Sequence, residues 1–330
     1  MVVDRVVRAP ARLAALGTYV PERVLNNFEL ETMMDTSDEW ILQRTGIRER
    51  RIVAENQYTS ALAIAAVGDL LQHHPEIEPQ SIDYVIAASS TSDYVYPGIA
   101  AMLQAHYGLP LQTGAIDVSA ACAGFAYGVN LACGLIASSQ SDRVLVVASE
   151  ALSRALDYGD RATAVLFGDG AGAAIVERSN EPQILGMTHG ADGSAGKYLF
   201  RTHVRSDING SVDESRLLRQ NGREVYRWVI EHVPETVERI LARAGLTLDQ
   251  IDWFAPHSAN LRMIEALNKR IGFPMERTLL SVVDFGNTSA ASIPLAVFPA
   301  IREGRVKPGE RVLMVGFGGG LVISGNVVVV

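Results

Sequence analysis

Two cysteines lie in one uncharged stretch, residues 118–141, and their positions suit different roles. Cys122 follows the apolar segment GAIDVSAA and begins the sequence CAGFAYGVNLACGLI, which predicts a helix from Ala121 to about Ser138. The positive end of a helix dipole lowers the pKa of a nearby thiol, so Cys122 is a candidate nucleophile. The alternative is an ordinary buried cysteine. Cys133 would lie about 16 Å further along, where it can form no disulfide with Cys122, and is interpreted as core packing.

A histidine and an asparagine occupy chemically suitable positions in the second half of the chain. His257 ends the predicted strand DWFAPH and precedes a predicted helix. Asn287 lies in DFGNTSAASIP, at a glycine turn before another predicted helix. Of the seven histidines, His257 alone ends a predicted strand in front of a helix. Both residues are therefore candidates for the same site as Cys122.

The order of features in the first half recurs in the second. SIDYVIAASS matches QIDWFAPHSA, with residues 82–84 lying 169 positions before residues 251–253. Cys122 lies 165 positions before Asn287, in segments that also resemble each other. We interpret the halves as a duplication. Cys122 and Asn287 would then be counterparts that meet near a shared centre.

The elements that must position these residues alternate between helix and strand. Short apolar runs predict buried strands at DYVIAAS, RVLVVAS, DWFAPH and RVLMVGF. Amphipathic or apolar segments between them predict helices, which implies mostly parallel sheets covered on both faces. We expect one half at residues 1–180, which carries the nucleophile. The other, residues 181–330, would contain an irregular cap segment at 181–221 and then the histidine and asparagine.

Composition narrows the classes of function. Of 330 residues 48% are hydrophobic and 20% charged, and the net charge of −8 gives no general polybasic surface for nucleic acid. Two cysteines cannot build a disulfide framework or a thiolate-rich metal site. The N-terminal sequence mixes Asp4 with three arginines and lacks the apolar core of a secretory signal, so a cytoplasmic location is expected.

Two further interpretations are disfavoured by the residues themselves. Residues 118–141 are long enough for a membrane span, but they are rich in Ala, Gly and Ser with Asn130 in the middle, so no membrane insertion is expected. The segments FGDGAGAA and GFGGGLVISG are rich in glycine, but no βαβ unit follows the second. A nicotinamide-dependent oxidoreductase therefore lacks its required context, and both segments are interpreted as strand-entry turns.

Five long motifs together make the sequence recognisable. DTSDEWILQRTGIRERR, DVSAACAGFAYG, FGDGAGAA, PHSANLRMIE and FGNTSAASIPLA closely resemble β-ketoacyl-acyl-carrier-protein synthase III, in order and over nearly the whole chain. The resemblance implies a thiolase-like α/β fold with five αβαβα layers and mixed, mostly parallel sheets. It also implies a homodimer that uses coenzyme A thioesters as substrates, with no cofactor and no metal.

The resemblance implies a Cys-His-Asn site made of Cys122, His257 and Asn287. Cys122 would take the acyl group of acetyl-CoA or another short acyl-CoA primer, and the backbone amides of Cys122 and Gly319 would form the oxyanion hole. His257 and Asn287 would donate hydrogen bonds to malonyl-acyl-carrier protein during its decarboxylation. Phe317 would shield the site. The product would be 3-oxoacyl-acyl-carrier protein, with release of CoA and CO2.

Further residues correspond to substrate contacts of the family. Trp40 and Arg161 would sandwich the adenine of CoA, Arg44 would approach its phosphates, and Asn260 would line the pantetheine tunnel. Tyr96 would cross the dimer interface and limit primer length. A local basic patch would dock the acidic carrier protein, formed by Arg262, Arg227, Lys269 and Arg270; ordinary solvated surface charge is the alternative for these residues.

Two departures from the family pattern bear on the primer. Ser258 replaces the usual glutamine of the HQAN motif, and the glycines at 318–320 are followed by Leu321-Val322-Ile323 where an aromatic residue is common. Both changes are expected to reshape the acyl pocket. A starter-unit condensing enzyme or acyltransferase of a specialised, polyketide-type pathway is the alternative function. A non-catalytic partner subunit is disfavoured, because Cys122, His257 and Asn287 are all present.

Overall fold

The computed structural model describes residues 6–208 and 210–330. Strands and α-helices are numbered separately, each in chain order. The strands are β1 (Arg8–Ala9), β2 (Ala11–Tyr19), β3 (Arg23–Asn26), β4 (Glu49–Ile52), β5 (Tyr84–Ala88), β6 (Gly114–Val118), β7 (Arg143–Ala151), β8 (Asp169–Arg178), β9 (Ile184–Ala191), β10 (Leu199–Arg201), β11 (Asp207–Ile208), β12 (Ser211–Val212), β13 (Leu218–Gln220), β14 (Trp253–Pro256), β15 (Arg311–Gly318) and β16 (Val322–Val329). The α-helices are α1 (Asn27–Met33), α2 (Asp38–Thr45), α3 (Thr59–His73), α4 (Ile99–His106), α5 (Gly124–Ala137), α6 (Arg161–Ala164), α7 (Gly222–Ala244), α8 (Leu261–Ile271), α9 (Val282–Phe285) and α10 (Ser292–Arg302).

Two five-stranded sheets form the framework. The N-terminal sheet has the strand order β2-β8-β7-β5-β6, and the C-terminal sheet has the order β1-β9-β16-β15-β14. Helices α5 and α10 lie between the sheets and contact both of them, with Phe125 of α5 packing edge-on against Phe298 of α10 at 5.7 Å between ring centroids. Helices α3 and α4 cover the outer face of the N-terminal sheet, and α7 with α8 covers the C-terminal sheet. The expected five-layer thiolase-like arrangement is confirmed.

The expectation of mostly parallel sheets is wrong in one respect. The strands that the sequence predicted do pair in parallel, β5 with β7 and β14 with β15, and β5 also pairs in parallel with β6. The five other pairings within the two sheets are antiparallel. Each of them involves at least one of the strands β1, β2, β8, β9 and β16, which were not predicted from the sequence. Strand β16 follows β15 after three residues, a connection too short for a parallel crossover.

The segment expected to form an irregular cap begins with a regular strand. Residues 184–191 form β9, which pairs with β16 inside the C-terminal sheet. Only the part after β9 is irregular, with a 3₁₀ helix at Gly193–Tyr198 and short two-stranded ribbons. Strand β1, from the start of the chain, also pairs into the C-terminal sheet. The boundary at residue 180 stays a prediction.

The duplication has a matching hydrogen bond in each half. The Asp83 carboxylate accepts from the backbone N–H of Arg143 at 3.3 Å, and Asp252 accepts from Arg311 at 2.8 Å. In both halves this bond links the residue before a parallel strand to the first residue of its neighbour. The repeated order of features therefore reflects a repeated fold.

The alignment of Cys122 with Asn287 inside this repeat is wrong. Cys122 lies in a 3₁₀ turn, Ala121–Ala123, and the equivalent turn in the second half is Ser289–Ala291. Each turn opens on a residue with positive φ, 43° at Ala121 and 49° at Ser289. These turns are 168 residues apart, so the counterpart of Cys122 is Ala290. Asn287 lies just ahead of its turn.

Within the described residues, every helix is too short or too polar to cross a membrane.

Candidate active site

Cys122 lies in the 3₁₀ turn that leads from β6 into α5, where the backbone of β15 passes directly against it. A side chain at Gly318 would place its Cβ 2.9 Å from the Cys122 sulfur, so only glycine fits there. Cys122 is buried, with 6% of the residue exposed. The 3₁₀ turn and Gly318 together fix the position of the sulfur at the centre of the molecule.

The net shift in the Cys122 pKa is opposite to the one expected for a cysteine at a helix start. Burial raises the pKa of the thiol to about 12, and the buried Glu150 carboxylate acts in the same direction. The Ser289 side chain and the backbone N–H groups of Cys122 and Gly319 act to lower it. The two amides expected to form the oxyanion hole therefore lie against the sulfur, but loss of hydration outweighs them in this site.

His257 lies at the end of β14, buried and held on both sides. Its Nδ1 lies 2.7 Å from the Ser292 hydroxyl, and its ring packs edge-on against Phe317 at 5.3 Å. Burial lowers the pKa of His257 to about 3. The imidazole is therefore neutral at physiological pH, which makes it a poor base and a suitable hydrogen-bond donor.

Asn287 lies between α9 and the 3₁₀ turn at Ser289–Ala291. Its Oδ1 accepts a hydrogen bond from the Ser289 backbone N–H at 2.9 Å, and its backbone bonds Leu166 and Gly168. Because the carbonyl end of the amide is occupied, the Nδ2 group is the end left for a substrate. Asn287 is buried, with 6% of its surface exposed.

Two cavities meet at Cys122. One, of about 430 Å³, is lined by Cys122, His257, Asn287 and Phe317, and its wall includes Trp40, Arg44, Asn260 and Arg262; we call it the thioester cavity. The other, of about 610 Å³, contains Cys122 and Ser289 and is walled largely by small and apolar residues; we call it the acyl cavity. A larger surface cleft of about 620 Å³ beside α7 contains none of the candidate catalytic residues. A thiol at the junction of two cavities can receive an acyl group through one of them and hold its chain in the other.

The residues expected to hold adenine are already in contact with each other. The guanidinium of Arg161 lies 5.1 Å from the ring centre of Trp40, and that of Arg44 lies 5.9 Å away. Arg161 also hydrogen-bonds the backbone carbonyl and the carboxylate of Asp35. An adenine between Trp40 and Arg161 would have to displace Arg161 from this position.

Asn260 and Arg262 have structural partners of their own. Asn260 caps α8 by accepting from the Arg262 backbone N–H at 2.8 Å. The Arg262 guanidinium donates to the backbone carbonyls of Gln43 and Leu42, each at 3.1 Å, and pairs with Glu265 at 3.0 Å. Both line the mouth of the thioester cavity, but Arg262 is engaged by these bonds.

The other basic residues differ in their relation to the cavity mouth. Arg227 is exposed, pairs with Glu224 and does not line the thioester cavity. Lys269 and Arg270 are exposed at the end of α8. Arg223, in the first turn of α7, lines the mouth directly and was missed by the sequence reasoning. Its position at a predicted helix start was visible, but only the fold shows that this start faces the cavity.

The remaining predicted residues lie outside the thioester cavity. Tyr96 is 85% exposed and lines neither cavity of its own chain. Ser258 is fully buried, lines neither cavity and accepts a hydrogen bond from the Ser281 backbone N–H at 3.1 Å, so its effect on the acyl pocket stays a prediction. Of residues 321–323, only Val322 lines the acyl cavity, while Leu321 is packed in the core beneath α7.

Comparisons with known proteins agree with this architecture. Family models described as 3-oxoacyl-[acyl-carrier-protein] synthase III and its C-terminal part match residues 116–193 and 241–330. The chain is 49% identical to β-ketoacyl-[acyl-carrier-protein] synthase III 2 of Bacillus subtilis over 96% of this chain and 97% of the relative. It is also 43% identical to the crystal structure of β-ketoacyl-[acyl carrier protein] synthase III from Thermus thermophilus, with a TM-score of 0.93 and coverage of 97% and 99%.

A third similarity is to a protein with a different printed role. The priming β-ketosynthase of the R1128 polyketide biosynthetic pathway is 36% identical, with a TM-score of 0.90 and coverage of 97% of this chain and 96% of that one. Identities of 43–49% to the two synthases over nearly complete chains decide the assignment. The chain therefore belongs to the β-ketoacyl-[acyl-carrier-protein] synthase III family, the initiating condensing enzymes of fatty acid synthesis.

Proposed function

We propose that the protein loads the acyl group of an acyl-CoA primer onto Cys122 and condenses it with malonyl-acyl-carrier protein. The observation that carries this proposal is the position of Cys122 where the thioester cavity and the acyl cavity meet. Thioesters enter through the first, and the acyl chain occupies the second. The products are 3-oxoacyl-acyl-carrier protein, CoA and CO2.

Hydrogen-bond donors facing the thioester cavity support the decarboxylation step. The Ser292 hydroxyl accepts from the Ser258 backbone N–H and is free to donate to His257 Nδ1, which leaves the ring proton on Nε2. Asn287 presents Nδ2 for the same reason, since its Oδ1 is occupied. Two neutral donors stabilise the enolate that forms when CO2 leaves. Phe317, buried against His257, excludes water from that enolate.

Loading of Cys122 is tested by intact mass spectrometry after incubation with a panel of acyl-CoAs. We expect a mass increase of one acyl group on the wild-type chain and no increase on Cys122→Ser. Cys133→Ser is the matched control, because Cys133 is buried in the middle of α5 and lines neither cavity. No adduct with any acyl-CoA would overturn the proposal.

The panel also identifies the primer and the pathway. The acyl cavity of about 610 Å³ is larger than an acetyl group needs, so we propose that short branched or extended acyl groups are accepted as well. A starter role in a specialised pathway remains the second candidate, supported by the similarity to the R1128 priming enzyme. Preference for one unusual acyl-CoA over acetyl-CoA and its short relatives would favour that role.

Docking of the two large substrates is proposed around the mouth of the thioester cavity. Trp40, Arg44 and Asn260 line it, and Arg161 would move from Trp40 to admit the adenine of CoA. Arg223 and Arg44 offer positive charge at the mouth to an acidic carrier protein, with Arg227 of α7 and Lys269 and Arg270 of α8 as further exposed charges. Arg262 contributes less to carrier docking, because Gln43, Leu42 and Glu265 hold it.

We also propose that the protein is a homodimer formed through β6. This strand is the edge of the N-terminal sheet, and Ile116 on it is 47% exposed. The nearby loop exposes Tyr94, Val95 and Tyr96, which suits insertion into a partner. Tyr96 would then reach the partner's acyl cavity. Sedimentation should show a dimer for the wild-type chain and a monomer for Ile116→Lys; a wild-type monomer would contradict this proposal.

We propose a cytoplasmic location and no cofactor, with CoA thioesters acting as substrates. Both cysteines are free and buried, and the nucleophile needs a reducing compartment to remain a thiol. Within residues 6–208 and 210–330, no group of three or more His, Cys, Asp and Glu side chains could hold a metal ion. The reaction proposed above is carried by Cys122, His257 and Asn287.

A further inference from the structure

Glu150 is a fully buried carboxylate in β7 that the reaction described above does not use. Its oxygens accept hydrogen bonds from the Ser90 backbone N–H at 3.1 Å, the Thr91 hydroxyl at 2.8 Å and the Ser289 hydroxyl at 3.0 Å. Among the ion pairs of the described residues, none involves Glu150, and Arg201 bonds the carbonyl of the neighbouring Ser90. Burial of a charged carboxylate without a cationic partner costs free energy, so a functional role is expected for it.

The hydrogen-bond donors around Glu150 favour its ionised form. The Thr91 hydroxyl accepts from the Ala151 backbone N–H at 2.9 Å, so its own proton is available to Glu150. The Ser90 backbone can only donate. Burial nevertheless raises the pKa of Glu150, while these donors act to lower it. The carboxylate is therefore able to take up a proton when one is offered.

Ser289 connects this carboxylate to the nucleophile. Its hydroxyl donates to Glu150 Oε1 at 3.0 Å, and Ser289 and Cys122 both line the acyl cavity, in 3₁₀ turns that pack against each other. The sequence of contacts is thiol, hydroxyl, carboxylate. Such a chain can transfer a proton between its two ends in one concerted step.

Charge considerations favour a transfer along this chain over ionisation of Cys122 alone. A thiolate formed by loss of its proton to solvent would place a second anion beside Glu150, and the pKa of Cys122 is already about 12. Transfer to Glu150 leaves one negative charge in the site before and after the step. His257, with a pKa of about 3, is too weak a base to take the proton.

We propose that Glu150, acting through Ser289, holds the proton of the Cys122 thiol for as long as the acyl enzyme exists. The inference rests on the proposed loading of Cys122. During loading, the S–H bond breaks, the proton moves to Ser289 Oγ, and the Ser289 proton moves to Glu150 Oε1. The thiolate forms a C–S bond with the acyl carbon, the C–S bond to CoA breaks, and the CoA thiolate takes a proton from solvent.

The condensation step returns the proton. Loss of CO2 from the malonyl group leaves an electron pair that forms the new C–C bond to the acyl carbon. The Cys122 sulfur leaves with its bonding pair and recovers the proton from Glu150 through Ser289. The cycle therefore consumes one solvent proton at loading, when CoA is released, and the resting charges are restored at condensation.

Proton uptake during loading tests this inference on the wild-type enzyme. The enzyme is mixed with acetyl-CoA, or the best primer of the panel, at pH 7 in weak buffer with a pH indicator, and acylation is followed by intact mass. We expect one proton taken up per acylated site. If the thiol proton passed directly to the CoA that leaves, no proton would be taken up from solvent. Complete acylation without uptake overturns the inference and leaves the proposed function standing, whereas absence of acylation overturns the proposed function.

Variants and infrared spectra locate the proton. Difference spectra of the acyl enzyme should show loss of a carboxylate band and gain of a carboxylic acid band, and Glu150→Gln should remove both together with the proton uptake. Acylation of Glu150→Gln and of Ser289→Ala should be about 100-fold slower. Asp169→Asn is the matched control, because Asp169 is also a buried carboxyl but bonds Ser153 and Val53 instead of Ser289.

Each of these measurements either supports or contradicts the proposed role of Glu150. Wild-type acylation rates in Glu150→Gln, or an unchanged infrared difference, would overturn the inference. If Glu150→Gln does not fold, as judged by circular dichroism, Ser289→Ala and the wild-type proton count still decide it. Loss of uptake in Asp169→Asn as well would indicate a general effect of the buried carboxyls and would equally contradict the specific role of Glu150.

Discussion

Cys122 and His257 are both buried, and burial favours the neutral form of each. The pKa of Cys122 is raised to about 12 and that of His257 is lowered to about 3, with burial as the largest cause in both. The helix start that the sequence offers to Cys122 does not reverse this effect. At the scale of single residues, both side chains are therefore neutral, and formation of the Cys122 thiolate depends on a neighbouring group.

Burial of His257 should make the protein sensitive to acid. An unfolded histidine binds a proton below pH 6.5, whereas the folded one binds it only near pH 3, so stability falls as the pH decreases between these values. From pH 6.5 to 4.5 the loss due to this residue should be about 2–3 kcal/mol. Urea unfolding at the two pH values should show a smaller acid loss for His257→Gln than for the wild-type chain.

An exposed histidine provides the control for this measurement. His203→Gln, which removes an exposed side chain in the irregular segment after β10, is the matched variant. Equal acid losses in the wild-type chain and His257→Gln would show that His257 takes up its proton in the folded state.

At the scale of elements, the small residues of α5 pack the helix closely against the N-terminal sheet. A Cβ on Gly124 would lie 2.8 Å from the Ala88 Cβ, and one on Gly128 would lie 2.7 Å from Val146 Cγ1. The space beside Gly124 is therefore filled by the core and not left for a substrate. The glycine that gives the thiol its space is Gly318 of β15.

Two glycines of α5 should respond to alanine in opposite ways. Gly128→Ala forces Val146 to move in a close-packed core and should cost about 1–3 kcal/mol of unfolding free energy. Gly134→Ala, where no neighbouring atom lies within 4 Å of the new Cβ, should stabilise the protein by about 0.5–1 kcal/mol. Denaturant unfolding of both variants checks the prediction. A loss at position 134 would mean that this face of α5 is covered in the assembled protein.

At the scale of the whole molecule, an acidic protein has to attract an acidic carrier. The net charge is −8, so attraction must be local, and Arg223 at the mouth of the thioester cavity is best placed to supply it. Arg262 was the first candidate from the family motif, but its backbone and carboxylate partners hold it in place. The fold thus redistributes roles within the basic patch.

Reversal of charge at the cavity mouth should weaken carrier binding. Arg223→Glu should raise the KM for malonyl-acyl-carrier protein about 5-fold, which corresponds to about 1 kcal/mol. The kcat and the acylation by acyl-CoA at saturation should change little, and the difference should shrink with added salt. Arg305→Glu, an exposed site that lines neither cavity, serves as the control. An unchanged KM in Arg223→Glu would place carrier docking elsewhere.

The sequence by itself was sufficient for the features that depend on local pattern and on motif. The strands at β5, β7, β14 and β15 and the central helix α5 follow from apolar runs and their spacing, because the period of hydrophobic residues reports the local backbone. The motifs around Cys122, His257 and Asn287 identified the family. The five-layer arrangement came with that identification.

Only the tertiary structure decided which residues share an environment. Glycine-rich β8 has little hydrophobic alternation, so its antiparallel place in the N-terminal sheet was not visible in the pattern. Glu150 and Ser289 are 139 positions apart, yet their hydrogen bond brings a buried carboxylate to the nucleophile. Burial and long-range contact depend on how all elements pack together. For that reason the protonation states of Cys122 and His257 could not be read from the residues around them in the chain.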